Sequence, residues 1–265
     1  MSSINLNLKN KYALVCGSTQ GIGQATAIKL AEMGANVVLA ARNEDKLKEV
    51  LKELPAKSGQ YHSYFVADFA YNQEVINALD EQLKKTPEIE ILINNTGGPP
   101  GAATIFANTL EFVKAFEMHL LNNHSIVQKI FPAMKRKQYG RIINIISTSV
   151  KAPIIGLGVS NTIRGAVANW AKTLAGELGQ YNVTVNNVLP GYTETARLKS
   201  LVQKKASASG KSIEEVVESM YSDIPMHRFG TADEVANAVA FLASPAAAYI
   251  NGINLPVDGG RTQSL

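Results

Sequence analysis

The sequence predicts an α/β fold, a parallel sheet covered by helices on both faces, and three observations carry the prediction. Strand-like and helix-like stretches alternate along all 265 residues, as they do where each helix crosses over to the next parallel strand. An apolar run, Tyr12 to Cys16, passes through a glycine turn into a helical stretch from Gln24 to Met33. A hydrophobic content of 46% over this length supplies one large core, and residues 1–265 read as a single domain without linker or repeat.

The elements follow in order. Tyr12 to Cys16 is a buried strand, and Gly34 stops the helix after it. Asn36 to Ala41 is the second strand. Asn43 caps a charged helix running to about Leu54, and residues 55–60 form a turn. His62 to Ala67 make the third strand, residues 72–85 a helix, and Ile89 to Ile93 the fourth strand. Gly97 to Gly101, with two prolines, is loop. One long helix covers Thr109 to Lys137, kinked or broken at Pro132. Arg141 to Ile146, Val183 to Leu189 and Ile253 to Val257 complete seven strands. Helices are expected over residues 161–181 and 232–242, and a mobile, Lys- and Ser-rich helical insertion over 197–222.

The bulk properties exclude several classes. The net charge of +4 comes from scattered residues, and Lys135-Arg136-Lys137 reads as a solvated helix end rather than a nucleic-acid site. Cys16 is the one cysteine, so there is neither an internal disulfide nor a cysteine metal site. The first ten residues lack the apolar core of a signal peptide, and no apolar run approaches a membrane span. A cytoplasmic protein without metal, membrane or nucleic-acid partner is the expectation.

The glycine turn carries the first functional signal. In Gly17-Ser18-Thr19-Gln20-Gly21-Ile22-Gly23, between strand and helix, glycines let backbone N–H groups and a helix N-terminus approach a pyrophosphate. With Asp68, Asn94-Asn95-Thr96-Gly97, Pro190-Gly191 followed by Thr195, Arg228-Phe229-Gly230 and Val257-Asp258-Gly259-Gly260, the chain resembles the short-chain dehydrogenase/reductase family, 3-oxoacyl-acyl-carrier-protein reductases included. The resemblance implies a Rossmann-like, doubly wound seven-stranded sheet in the order 3-2-1-4-5-6-7. It also implies a homotetramer or homodimer and a substrate lid over about residues 196–224. By the same likeness Asp68 contacts adenine, and Asn95, Gly97, Pro190, Gly191, Thr193 and Thr195 border the cofactor. After the second strand, Ala40-Ala41-Arg42-Asn43 offers no acid for a ribose hydroxyl but a guanidinium for a 2′-phosphate. NADPH is therefore expected over NADH, with Ser18 and Thr19 as further donors.

The catalytic set departs from the family. Ser147 fits the family serine, but thirteen residues on stands Ser160 instead of tyrosine, and four further Arg164 instead of lysine. His119 takes the asparagine position. Ser160 and Arg164 share a helical face, and Arg164 can hold the nicotinamide ribose or grip a carboxylate or phosphate. It cannot shuttle protons. His119, titrating near neutrality, is a candidate proton donor or else a structural helix residue. Tyr192 and Tyr221 are within possible reach of a substrate, Tyr192 rather as a wall. Three readings stand: an NADPH-dependent carbonyl (ketone or 3-oxoacyl-like) reductase with altered proton delivery, a reductase of conjugated C=C bonds, and an inactive NADP(H)-binding scaffold. The lysines Lys199, Lys204, Lys205 and Lys211 either favour an anionic substrate or are simply solvated.

Overall fold

The computed structural model describes residues 4–56, 59–86, 88–99 and 101–264; Lys57 and Ser58 of the expected turn and Pro100 of the expected loop lie outside these. Seven strands, β1 (Tyr12–Cys16), β2 (Asn36–Ala41), β3 (Ser63–Val66), β4 (Ile91–Asn94), β5 (Gly140–Ile145), β6 (Val183–Pro190) and β7 (Asn254–Val257), form one sheet. Its order is β3-β2-β1-β4-β5-β6-β7, parallel throughout. The order reverses between β1 and β4, which opens a crevice at the carboxyl ends of the strands.

The helices are α1 (Gly21–Glu32), α2 (Glu44–Glu53), α3 (Asn72–Lys85), α4 (Thr109–Phe116), α5 (Asn122–Lys137), α6 (Gly158–Leu178), α7 (Ala196–Ser209), α8 (Ile213–Ser222) and α9 (Ala232–Ala243). Successive strand residues point to opposite faces, so a continuous apolar run feeds two cores. Val15, Leu39 and Ile143 meet Leu30 of α1, Leu47 of α2 and Val239 of α9. Leu14, Leu92 and Ile142 meet Leu79 of α3, Ile130 of α5 and Leu174 of α6. Local caps agree with this plan: Asn43 accepts from the Lys46 N–H, while Asn108, Ser212 and Thr231 each close a capping box.

Three expectations are corrected. The long helix is interrupted not at Pro132, which lies exposed within α5, but by a π-helical turn at Glu117–Leu121. Such a turn adds a residue and re-aims a side chain, and here it turns His119 inward. The Asn122 amide holds its exit, donating to Phe69 O and accepting from Asn72 Nδ2 at 2.7 Å. Second, β4 begins two residues late because the buried Glu90 carboxylate is occupied, taking the Tyr12 N–H at 2.8 Å and pairing with Lys11. Third, the Lys- and Ser-rich insertion is two helices with their own core, Leu198, Val202 and Ala206 of α7 against Val216 and Met220 of α8. Their four-residue spacing was diluted by the intervening lysines and serines.

A polar ladder crosses the sheet near its carboxyl edge. Asn94, Asn144, Asn187 and Asn254 stand in register on β4, β5, β6 and β7. Each amide donates to the next residue's carbonyl oxygen, at 2.8, 2.9 and 2.8 Å.

Candidate functional site

The residues singled out in the sequence gather at the carboxyl ends of the strands. Gly17 and Gly21 take positive φ values of 61° and 55°, which L side chains adopt only under strain. Gly23 has an ordinary helical backbone, and its demand is for space: a Cβ there would run into Gly17 O and come within 2.6 Å of Asn95 Nδ2. The loop is tied down by the Gly17 N–H donating to Ala40 O at 2.8 Å and by Asn95, whose amide donates to Gly17 O at 3.1 Å. Asn95 thus shapes the loop from behind. Ile22 packs into the core, and Ser18 Oγ is buried without a partner.

At the start of α1, Gln20 makes no side-chain cap and the first turn carries no acid. The leading N–H groups are therefore left for an anion. The Thr195 methyl group would stand 3.1 Å from a Cβ on Gly21, so the start of α7 faces the glycine loop. Thr195 Oγ1 donates to Thr193 O, and Thr193 Oγ1 to Gly191 O, both at 3.2 Å. Gly191 is required by crowding, since a Cβ would lie 2.7 Å from Asp258 Cα. A cradle that side chains would fill, flanked by an uncapped helix start, fits a dinucleotide pyrophosphate. Thr19 borders the same loop, half-buried.

Beyond β2 the Arg42 side chain is largely exposed and lies 3.8 Å from Asp68 Oδ2, so the expected phosphate ligand and the expected adenine contact neighbour each other. Gly97 is exposed, with open space around it.

The second half of the site is built on β5 and α6. Ser147 follows β5, and its Oγ accepts from the Ser149 N–H at 3.1 Å. Ser160 and Arg164, one turn apart on α6, are both buried. The Arg164 guanidinium donates to Ile145 O at 3.2 Å, which pins α6 against the end of β5 two residues before Ser147. Burial, with Arg197 adding to it, lowers the Arg164 pKa to about 10. It stays a cation at neutral pH.

His119 corrects one expectation outright. It is 1% exposed, and its Nδ1 lies 2.7 Å from Thr96 Oγ1, while Nε2 is buried without a partner. Burial first, then the charges of Arg164 and Arg197, hold its pKa down to about 2. The imidazole is therefore neutral at physiological pH and does not titrate near neutrality; it serves as a neutral hydrogen-bonding group. The unfolded chain protonates this histidine below about pH 6.5 whereas the folded chain does not. Stability present above that pH is accordingly lost as pH falls. The slope is about 1.4 kcal/mol per pH unit, or about 2 kcal/mol between pH 6.5 and 5. Urea unfolding at pH 7.5 and 5.0 checks this: His119→Asn flattens the dependence by that amount, and an unchanged slope overturns the assignment.

Sequence reasoning missed two members of the site. Thr96, the His119 partner, was signalled only by its place in Asn94-Asn95-Thr96-Gly97. Arg197, opening α7, donates to Gly98 O at 3.1 Å and Pro99 O at 3.5 Å. Tyr192 packs on Phe229 and receives a hydrogen bond from Arg261, and Tyr221 lies against Phe229 too. Among the described residues no cluster of three metal-ligating side chains occurs, and no helix is long and apolar enough to cross a membrane.

With the geometry in place, the chain was compared with known proteins. Residues 17–262 match the family model described as enoyl-(acyl carrier protein) reductase. The NADPH-dependent reductase BacG of Bacillus subtilis is 30% identical, over 97% of this chain and 100% of its own length. The 3-oxoacyl-[acyl-carrier-protein] reductase FabG of Aquifex aeolicus is 31% identical, over 97% of this chain and 99% of its own. The crystal structure of L-sorbose reductase from Gluconobacter frateurii, complexed with NADPH and L-sorbose, superposes with a TM-score of 0.92 at 27% identity, covering 98% of this chain and 100% of that one.

Proposed function

Because the chain belongs to the short-chain dehydrogenase/reductase family, we propose that it is an NADPH-dependent reductase of a carbonyl substrate, a ketone or 3-oxoacyl-like compound. The observation that carries this reading is the intact cradle between Gly17, Gly23 and Thr195 beside a site of buried polar groups. A chain that had merely kept the fold would be free to fill that site with apolar side chains.

The glycine loop and the start of α1 hold the pyrophosphate, Arg42 a 2′-phosphate, and Asp68 the adenine side, with Gly97, Pro190, Gly191 and Thr193 bordering the rest. NADPH, when bound, supplies the hydride. The chain's own groups then meet the charge that develops on the substrate oxygen. Ser147 and Ser160 donate hydrogen bonds to it, and Arg164 supplies positive charge from a buried, preorganised position. His119, neutral and fixed by Thr96, offers an N–H from Nε2 when the threonine hydroxyl donates to Nδ1. With His119 neutral and limited to donating a hydrogen bond, the proton itself comes from water. The α7–α8 pair, about residues 196–224 within a single domain 1–265, is the lid over the substrate.

A second reading, hydride addition to a conjugated C=C bond, is favoured by the neutrality of His119. An enolate needs stabilisation by Arg164 more than it needs an acid poised on the enzyme. For the assembly we propose a homotetramer or homodimer: Leu110, Val113 and Phe116 of α4 and the adjoining Leu121 are exposed beside Ile163 of α6, leaving an apolar face that sedimentation velocity reads as dimer or larger. A cytoplasmic location completes the proposal.

Thermal melting with NADPH and with NADH tests the reading. Saturation at 100 times Kd stabilises a native-only site by about 2.7 kcal/mol, a shift of several degrees. NADPH is expected to give that shift at lower concentration than NADH, and Arg42→Ala to remove the preference. No shift with either nucleotide refutes the proposal.

A further inference from the structure

Two cations at the reacting end of the site, Arg164 and Arg197, are without an acidic partner among the described residues. Arg164 is buried and its hydrogen bonding among the described residues is confined to Ile145 O, although a guanidinium has five N–H donors. Arg197 reaches in from α7, exposed at the rim and resting on the carbonyl oxygens of Gly98 and Pro99. Gly98 leaves room for it, since a Cβ there would lie 2.8 Å from both terminal guanidinium nitrogens. Among the described residues neither arginine has a carboxylate within 4.0 Å, whereas Arg228, at the surface, is matched to Glu234 at 2.6 Å. Arg42 too has an acid beside it.

An uncompensated buried charge is costly, and proteins retain one where a ligand of opposite charge completes the pair. Burial lowers the pKa of Arg164, partial desolvation at the rim lowers that of Arg197, and each adds its charge at His119. Among the described residues, the site side chains assigned beside them, Thr96, Ser147, Ser160 and His119, are neutral. We propose that Arg164 and Arg197 together form a receptor for a carboxylate on the substrate, so that the compound reduced is an oxo acid. Arg164 meets the anion from the base and Arg197 closes on it from α7. The planar fork of each guanidinium matches a carboxylate with two parallel hydrogen bonds. The lysines of α7 are exposed, and Lys205 lies over the Tyr192 ring; the proposal does not require them. This inference rests on the NADPH-dependent reading above and assigns a substrate class to it.

The test uses the full-length protein, first titrated with NADPH and then mixed with 2-oxo and 3-oxo acids and the methyl ester of each, following NADPH oxidation. Acids are expected to have a KM at least about tenfold below their esters. Arg197→Gln should raise the KM for the acids about tenfold or more, leave that for the esters within about twofold, and leave the Kd for NADPH unchanged; Arg197→Lys should recover part of the loss. Three results overturn the assignment: esters handled as well as acids, no acid of the panel turned over, or a Kd for NADPH that rises tenfold in Arg197→Gln, which would place the arginine on the cofactor. In all three, NADPH binding by the wild type leaves the reductase reading standing. Absence of NADPH binding removes both.

Discussion

Gly23→Ala is expected to leave a folded protein whose melting temperature no longer responds to NADPH. The glycine sits in the first turn of α1, where an added methyl group meets the backbone carbonyl of Gly17 and the side-chain amide of Asn95. Neither can yield independently. Gly17 is fixed by its N–H bond to Ala40 O and by its positive φ, and Asn95 is fixed by the two carbonyl groups it holds. The loop must therefore move as a unit away from α1, and the pyrophosphate cradle moves with it. Overpacking of this kind costs about 1–3 kcal/mol, while the displaced N–H groups lower the affinity for NADPH by about a hundredfold. Gly176→Ala provides the control. It lies on the exposed face of α6 with nothing near its would-be Cβ, so alanine should stabilise the helix by about 0.5–1 kcal/mol and spare NADPH binding. Retention of wild-type NADPH affinity in Gly23→Ala would show that the cradle is not the cofactor site.

The fold was legible because it is written in local signals that recur. Alternating apolar runs and helical stretches gave all seven strands, to within two residues at either end. The glycine loop was legible because glycine is chosen there by backbone geometry, which composition cannot imitate. The catalytic side was harder. Ser147, Ser160 and Arg164 could be placed by spacing, but His119 could only be named; its charge state depends on burial and on Arg197, which stands 78 positions away in the chain. Arg197 itself looked like one more cation in a Lys-rich helix. The π-helical turn was invisible for a related reason: Glu117 to Leu121 has ordinary helical composition, and the extra residue is stabilised by Asn122 contacting Phe69 and Asn72 from distant segments. Sequence order reports what a residue is, and only the fold reports which other charges it faces.

The asparagine ladder presents the same lesson in energetic form. Asn144→Leu is expected to destabilise the protein by about 3–5 kcal/mol, a large part of the total stability of a typical domain. Leucine nearly conserves the volume, so the loss does not come from a cavity. It comes from stranding the neighbours: the Asn94 amide loses its acceptor, Asn187 Oδ1 loses its donor, and each lies in the sheet interior away from water. A buried polar group left unsatisfied costs about 1–3 kcal/mol. Asn254→Ala, at the half-buried end of the ladder, strands only the Asn187 amide and should cost about 1 kcal/mol. Urea unfolding at pH 7.5 measures both, and a cost below about 1 kcal/mol for Asn144→Leu would mean that the ladder is incidental to stability. The consequence reaches the site as well. Asn94 precedes Asn95 and Thr96, and Asn144 precedes Ile145, whose carbonyl anchors Arg164, and Ser147 two residues beyond. The ladder thus fixes the relative height of the strand ends from which both the cofactor cradle and the reacting groups project. Asn144→Leu should therefore weaken NADPH binding even at temperatures where the protein remains folded, a coupling that isolated surface pairs cannot produce.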